Sequence, residues 1–310
     1  MIKAFQILLI ILTYSLYAIQ LSAQQRLSYA KFVNKNTNKP ISYCTITCSN
    51  DQTGGFSDSL GIIAIQNIIN CDKILVTSLG YKSEVFMVKN NPQKNKDTLL
   101  FYLTPDTLKL EEVQIAKDAT KIKLVKYNLG HFNSKKEVID RTGAIGNTRA
   151  LYIKNPTNNT STKITKILYS IDGLRDPLFD NQSAMVRINL FRKAENSDAP
   201  GSPLINEDII IRTKKGQGQI IYDVSKYNIL LPKDGVFIAI QWLGELTSKI
   251  KPINISPALN SHRNVDGSIM YFKFLDKEWS QTRTYFNLRT KKEVPVWVPN
   301  FGISVIEYRN

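Results

Sequence analysis

The chain has 310 residues, with 41 Lys+Arg against 26 Asp+Glu, 43% hydrophobic and 10% aromatic residues, 3 Cys and 2 His. That apolar content excludes intrinsic disorder, and so few Cys and His exclude a disulfide-stapled miniprotein or a multi-finger zinc protein. At roughly 100–200 residues per domain, the length accommodates two domains with separate cores.

The first element is a leader. Met1 to Ala23 has one early cation, Lys3, an apolar run from Ile7 to Leu12, and a small residue, Ala23, before Gln24-Gln25. This is the pattern of a secretory signal peptide, and the strongly apolar part is shorter than the ~20 residues a transmembrane helix needs. No Cys stands directly after the apolar run, so no lipid anchor is expected. The mature chain is expected to begin near Gln24 and to carry no transmembrane segment.

Export directs attention to the thiols. Cys44 and Cys48 share one face of an expected strand, ~13 Å apart at ~3.3 Å per residue, too far for a disulfide between them. Either could meet Cys71, and the favoured reading is three buried, unpaired small side chains.

Past Gln24, short alternating runs separated by Gly, Pro, Asn and Asp read as all-β. Strands are expected at Lys73 to Thr77, Glu84 to Val88, Thr98 to Leu103, Asp208 to Arg212, Gln219 to Asp223, Ser268 to Leu275 and Phe301 to Tyr308. Val186, Ile188 and Leu190 form one inward face, and Val236, Ile238, Ile240 and Trp242 another, which makes Trp242 a core residue. One or two helical turns are expected near Asp118 to Leu129, where Ile122, Val125 and Leu129 share a helical face, and near Ser134 to Arg141. The organisation is a first β-sandwich over 26–105, a basic connector over 106–144, and a larger jelly-roll-like β-sandwich over 145–310, to which the connector could lend an edge strand.

Within the first unit, Asn38-Lys39-Pro40-Ile41 opens a strand pair and Cys44 to Cys48 stands as an alternating strand. Phe56 to Ile63 holds an Asp-x-x-Gly turn, and Asp72 to Lys82 is a strand running into Ser78-Leu79-Gly80-Tyr81. In this order the stretch from Lys31 to Leu103 resembles the carboxypeptidase regulatory-like domain, with Leu108 to Ile115 similar to its exit sequence. The resemblance implies a small transthyretin-like β-sandwich in an exported protein of a Gram-negative bacterium, without peptidase zinc ligands. The residues themselves suggest positive φ at Gly61 and Gly80, an Asp58 side chain bonded to backbone two residues on, and a Tyr81 ring covering the sandwich end.

Catalytic motifs are missing. The chain has no His-Glu-x-x-His, Gly-x-Ser-x-Gly, phosphate loop or Cys-x-x-Cys, and its two imidazoles, His131 and His262, stand in segments that read as solvated loops. Asp172, Asp176, Asp180, Asp223, Glu245, Asp276 and Glu278 could supply the carboxylate pair of a glycan-directed hydrolase, which is the alternative reading. Asn50, Asp51 and Asp58 read as turn formers rather than calcium ligands. Trp279, Tyr285 and Trp297 fall in polar, loop-like segments and are the candidate ligand-binding residues. The formal charge of +15 suits an anionic envelope surface or simple solvation; no recognised nucleic-acid module accompanies it. The expected protein is a non-enzymatic cell-envelope binder of a glycan or protein, without metal or cofactor. It would lie in the periplasm, on the outer membrane or outside the cell.

Overall fold

The computed structural model describes residues 29–49, 54–88, 98–106, 123–140, 143–157, 162–172, 185–214, 216–243, 257–263, 267–281, 284–287 and 291–309. The expected leader and its cleavage site lie outside these residues.

The protein is all-β. Its first unit has strands β1 (Tyr29–Asn34), β2 (Thr45–Cys48), β3 (Gly54–Phe56), β4 (Ile62–Ala64), β5 (Lys73–Thr77), β6 (Glu84–Met87) and β7 (Thr98–Leu103). They form two sheets, ordered β4-β1-β7 and β3-β2-β5-β6, with β1 parallel to β7. Alternation aims Ala30 and Phe32 of β1 and Leu99, Phe101 and Leu103 of β7 at Ile46, Ile74 and Val76 of the opposite sheet. Their burial makes a sandwich.

The turn chemistry operates as the sequence suggests. Asp58 Oδ1 accepts from the backbone N–H of Leu60 and of Ile62, both at 2.8 Å. Gly61 has φ 71°, and a Cβ there would lie 2.7 Å from the Ile41 carbonyl oxygen. Tyr81 packs on the core while its hydroxyl accepts from Asn34 Nδ2 at 3.1 Å.

One expectation needs correction: Cys48 and Cys71 form a disulfide, Cα–Cα 5.5 Å, which ties the end of β2 to the turn before β5. Only Cys44 stays a free buried thiol among the described residues, and burial pushes its pKa up to about 12, which leaves it unreactive.

The second unit runs through β8 (Lys123–Gly130), β9 (Val138–Asp140), β10 (Asn147–Ile153), β11 (Lys163–Asp172), β12 (Met185–Lys193), β13 (Pro200–Pro203), β14 (Ile209–Arg212) and β15 (Gln219–Asp223). It continues with β16 (Val236–Leu243), β17 (Ala258–Arg263), β18 (Met270–Phe274), β19 (Ser280–Gln281), β20 (Thr284–Asn287), β21 (Lys292–Pro295), β22 (Trp297–Pro299) and β23 (Phe301–Arg309). One sheet is ordered β13-β12-β16-β10-β18-β19, with β14 also on β12; the other is β22-β17-β11-β23-β8, with β15 on β11 and β9 on β17. The core between them takes Leu151 and Ile153 of β10, Val186, Ile188 and Leu190 of β12 and Ile238, Ile240 and Trp242 of β16 against Ile167, Tyr169 and Ile171 of β11 and Phe301, Ile303 and Val305 of β23. Trp242 is fully buried and donates Nε1–H to the Pro257 carbonyl at 3.0 Å.

The expected helical turn near Asp118 to Leu129 is not formed where the structure describes it. Lys123–Gly130 is an extended edge strand that pairs with β23 over eight residues, Lys123 opposite Arg309 through Gly130 opposite Gly302. The 3.6 spacing of Ile122, Val125 and Leu129 competes with the two-residue alternation of Val125, Tyr127 and Leu129. Packing of Tyr127 and Leu129 on the core decides for the strand. Val138–Asp140 is likewise a strand, so part of the expected connector belongs to the second sandwich.

The β3-β2-β5-β6 sheet seats against the outer face of the β12-β16-β10-β18 sheet. Phe56 meets Leu243 and Leu275, with Tyr43, Met185, Ile210 and Phe274 around them. Arg187 spans the junction: Nη1 donates to Thr45 Oγ1 at 3.1 Å and Gln241 Oε1 at 2.7 Å, Nη2 to the Tyr43 carbonyl, and Nε lies 3.0 Å from Asp208 Oδ1. Thr77 Oγ1 donates to Asp276 Oδ2 at 2.5 Å. Two bulky residues at this seam take left-handed backbone, Tyr43 at φ 53° and Leu275 at φ 51°, at a cost of about 1–2 kcal/mol each that the docked surfaces must offset.

Candidate functional site

A groove in the second sandwich is lined by residues of β9, β10 and β18 and by Val296 and Trp297 at the start of β22. Arg149 shares a face of β10 with Leu151 and Ile153, so it points between the sheets, where it forms an ion pair with Asp140 of β9. Asp140 stands opposite Leu259 in register. The pair lines a cavity of about 750 Å³ together with Val138, Met270, Phe272 and Trp297, with Asn147, Lys277 and Glu278 also in its lining. Phe272 keeps 44% of its surface open to solvent. A mostly apolar cleft with a few charged groups suits a ligand that offers both a flat apolar face and hydroxyl or amide groups.

The structure separates the three candidate residues. Trp297, set between Pro295 and Pro299 and paired opposite Arg263, lines the groove. Trp279 does not share it. Its ring packs edge-on against Phe191, 5.8 Å between centroids, on the outer face of the sheet, with the Lys273 ammonium 4.9 Å from its centroid. Tyr285 lies on the β20–β21 hairpin, opposite Val294 in register.

The histidines also depart from expectation. His262 is on strand β17 and buried, not in a solvated loop, and its ring lies 4.7 Å from that of His131. Asn300 Nδ2 donates to the Ser134 carbonyl at 2.8 Å, which leaves Asn300 Oδ1 to accept from His262 Nδ1 at 2.7 Å. His131 Nε2 is 2.9 Å from Ser268 Oγ. β17 pairs with both β9 and β22, so His262 rides on the strand that supports two walls of the groove. Since 131 residues separate the two rings in the chain, no local signal in the sequence announces this pair.

Of the carboxylates considered for hydrolysis, Glu278 lines the groove, as does Asp140, whereas Asp276 lines the seam between the sandwiches and Asp172 pairs with Lys136 at 3.7 Å. Asp176, Asp180 and Glu245 lie outside the described residues, as do Asn50 and Asp51. Among the described residues, no group of three or more His, Cys, Asp or Glu is placed to hold a metal ion, and no helix is long and apolar enough to cross a membrane.

No family model and no curated protein matches the chain. One solved structure is similar in part: the cysteine protease and lectin-like domains of Cwp84, a surface-layer-associated protein of Clostridium difficile, at 11% identity and TM-score 0.33. The match covers 88% of this chain and 61% of that one, and a likeness this slight carries no argument about function.

Proposed function

We propose that this chain is an exported, non-enzymatic binding protein of the cell envelope that holds a glycan in the groove of its second sandwich. The observation that carries the reading is the pairing of Trp297 and the exposed Phe272 with the Arg149–Asp140 ion pair in one cleft. Sugar rings offer aromatics an apolar C–H face and offer charged groups their hydroxyls. The leader-like first twenty-three residues support export, and so does the Cys48–Cys71 disulfide, since such bonds persist in oxidising compartments. The first sandwich, in its resemblance to the carboxypeptidase regulatory-like domain, acts as an accessory module.

Calorimetric titration with solubilised envelope glycan fragments tests the reading. The wild-type protein is expected to bind, and Trp297→Ala to weaken binding by roughly 10–100-fold, the effect of removing one aromatic anchor. Trp297 is partly exposed, so the variant is expected to keep the wild-type melting behaviour. Unchanged affinity in the variant would sink the assignment of this groove, and recovery of a stoichiometric protein from crosslinked envelopes with no glycan binding would replace glycan by a protein partner.

A further inference from the structure

A second cavity, of about 260 Å³, lies at the seam between the two sandwiches and opens past the exposed Ser83. Opposite charges meet in it without joining. Lys273 is largely buried, yet among the described residues no carboxylate lies within ion-pair distance of its ammonium, whose one close partner is the Trp279 ring. Among the described residues, Asp276 accepts a hydrogen bond from Thr77 alone. Both line the same space, together with Thr148, Gln241 and Phe191. Thr148 Oγ1 is buried without a hydrogen-bond partner among the described residues, and Gln241, whose Oε1 accepts from Arg187, also lines the cavity.

These groups constrain the occupant. Arg187 is already engaged by Asp208, so an anion would find Lys273 but also the Asp276 carboxylate, and a cation the reverse. A hydroxyl satisfies both, since it donates to a carboxylate and accepts from an ammonium or amide. Phe191, half-buried on the same face of β12 as Arg187 and Asn189, adds an apolar surface. We infer that the seam is a second binding site, on the opposite face of β10 and β18 from the groove although Thr148 and Lys273 border both spaces, for a small polyhydroxylated ligand the size of one hexose, held by Lys273, Asp276, Thr148 and Gln241 against the ring of Phe191.

Desolvation lowers the Lys273 pKa and raises that of Asp276, which is the cost that a bridging ligand would relieve. In the fold alone, the Lys273 ammonium gains its contact with the Trp279 ring and a through-space attraction to the Asp276 carboxylate, with no direct ion pair between them. Lys273→Met keeps most of the stem but takes from the buried Asp276 the positive charge that offsets its desolvation, so it is expected to lower stability somewhat, and Thr148→Val is the variant that keeps the fold as it is.

The test is titration of the full chain with D-glucose, D-galactose, D-mannose and N-acetylglucosamine, followed by NMR, with inorganic phosphate and glycine as comparison probes. At least one sugar is expected to bind. Lys273→Met and Thr148→Val are each expected to weaken it about tenfold or more, the effect of removing a buried hydrogen-bonding partner, while Trp297→Ala leaves it unchanged. Thr148→Val gives up no hydrogen bond among the described residues, so an unchanged melting curve is expected beside its loss of binding. Binding of phosphate or glycine but no sugar, no binding at all, or a sugar affinity indifferent to both seam variants overturns the proposal. If binding responds to Trp297→Ala alone, the groove stands and the seam site falls.

Discussion

Replacing Arg187 by Ala is expected to destabilise the protein by about 3–5 kcal/mol and to separate the melting of the two sandwiches. The guanidinium is buried at the seam and spends its donors on Thr45, the Tyr43 carbonyl, Gln241 and Asp208. Without it the Asp208 carboxylate is left desolvated and unpaired. Burial already raises the pKa of that group above the usual carboxylate value even with the arginine in place. The effect extends beyond one pair, because Arg187 also fixes Tyr43 in its left-handed backbone conformation. Differential scanning calorimetry should show one cooperative transition in the wild type and two in Arg187→Ala. The double variant Arg187→Met, Asp208→Asn should recover part of the loss, since it removes the stranded charge as well. A single variant that melts like the wild type would mean that the Phe56, Leu243 and Leu275 contact holds the sandwiches together unaided.

The second large effect is expected from the disulfide. Cys48 and Cys71 close a loop with a sequence separation of 23, and the loop-closure entropy denied to the unfolded chain is worth about 3 kcal/mol. The sandwich it belongs to is small, so its core leaves a narrow margin and a loss of that size is a large share of it. Reduction, or the variant Cys48→Ala, Cys71→Ala, should lower the denaturant midpoint of the first sandwich and leave that of the second nearly unchanged. Cys44 is buried away from this bond with its thiol held protonated, so it should not exchange into it. Equal midpoints with and without reductant would show that the bond contributes nothing to this unit.

The strands were legible wherever alternation was unopposed. Lys73–Thr77, Thr98–Leu103 and Gln219–Asp223 form where the spacing places them, and Trp242 lies in the core as its strand pattern requires. Lys123–Gly130 was ambiguous because its apolar residues satisfy two periods, and only pairing with the last strand of the chain resolves them. The bonds that join distant segments left no local trace. Nothing near Cys48 points to Cys71, nothing near His131 points to His262, and the reach of Arg187 into Thr45 and Tyr43 spans more than 140 residues. Trp279 and Trp297 looked alike in sequence, each an aromatic in a polar stretch. The structure turns one toward Phe191 and Lys273 and the other into the groove.

That difference supplies the most direct test of the glycan-binding groove. The chain has three tryptophans in three settings: Trp242 in the core, Trp279 on the outer face of the sheet, and Trp297 in the groove. Fluorine NMR of protein labelled with 5-fluorotryptophan would give one resonance for each, assigned by single substitution to Phe. On titration with envelope glycan fragments, the Trp297 resonance is expected to shift and saturate while that of Trp242 stays in place. A saturating shift at Trp279 with Trp297 unmoved, or three unmoved resonances, would contradict binding in the groove.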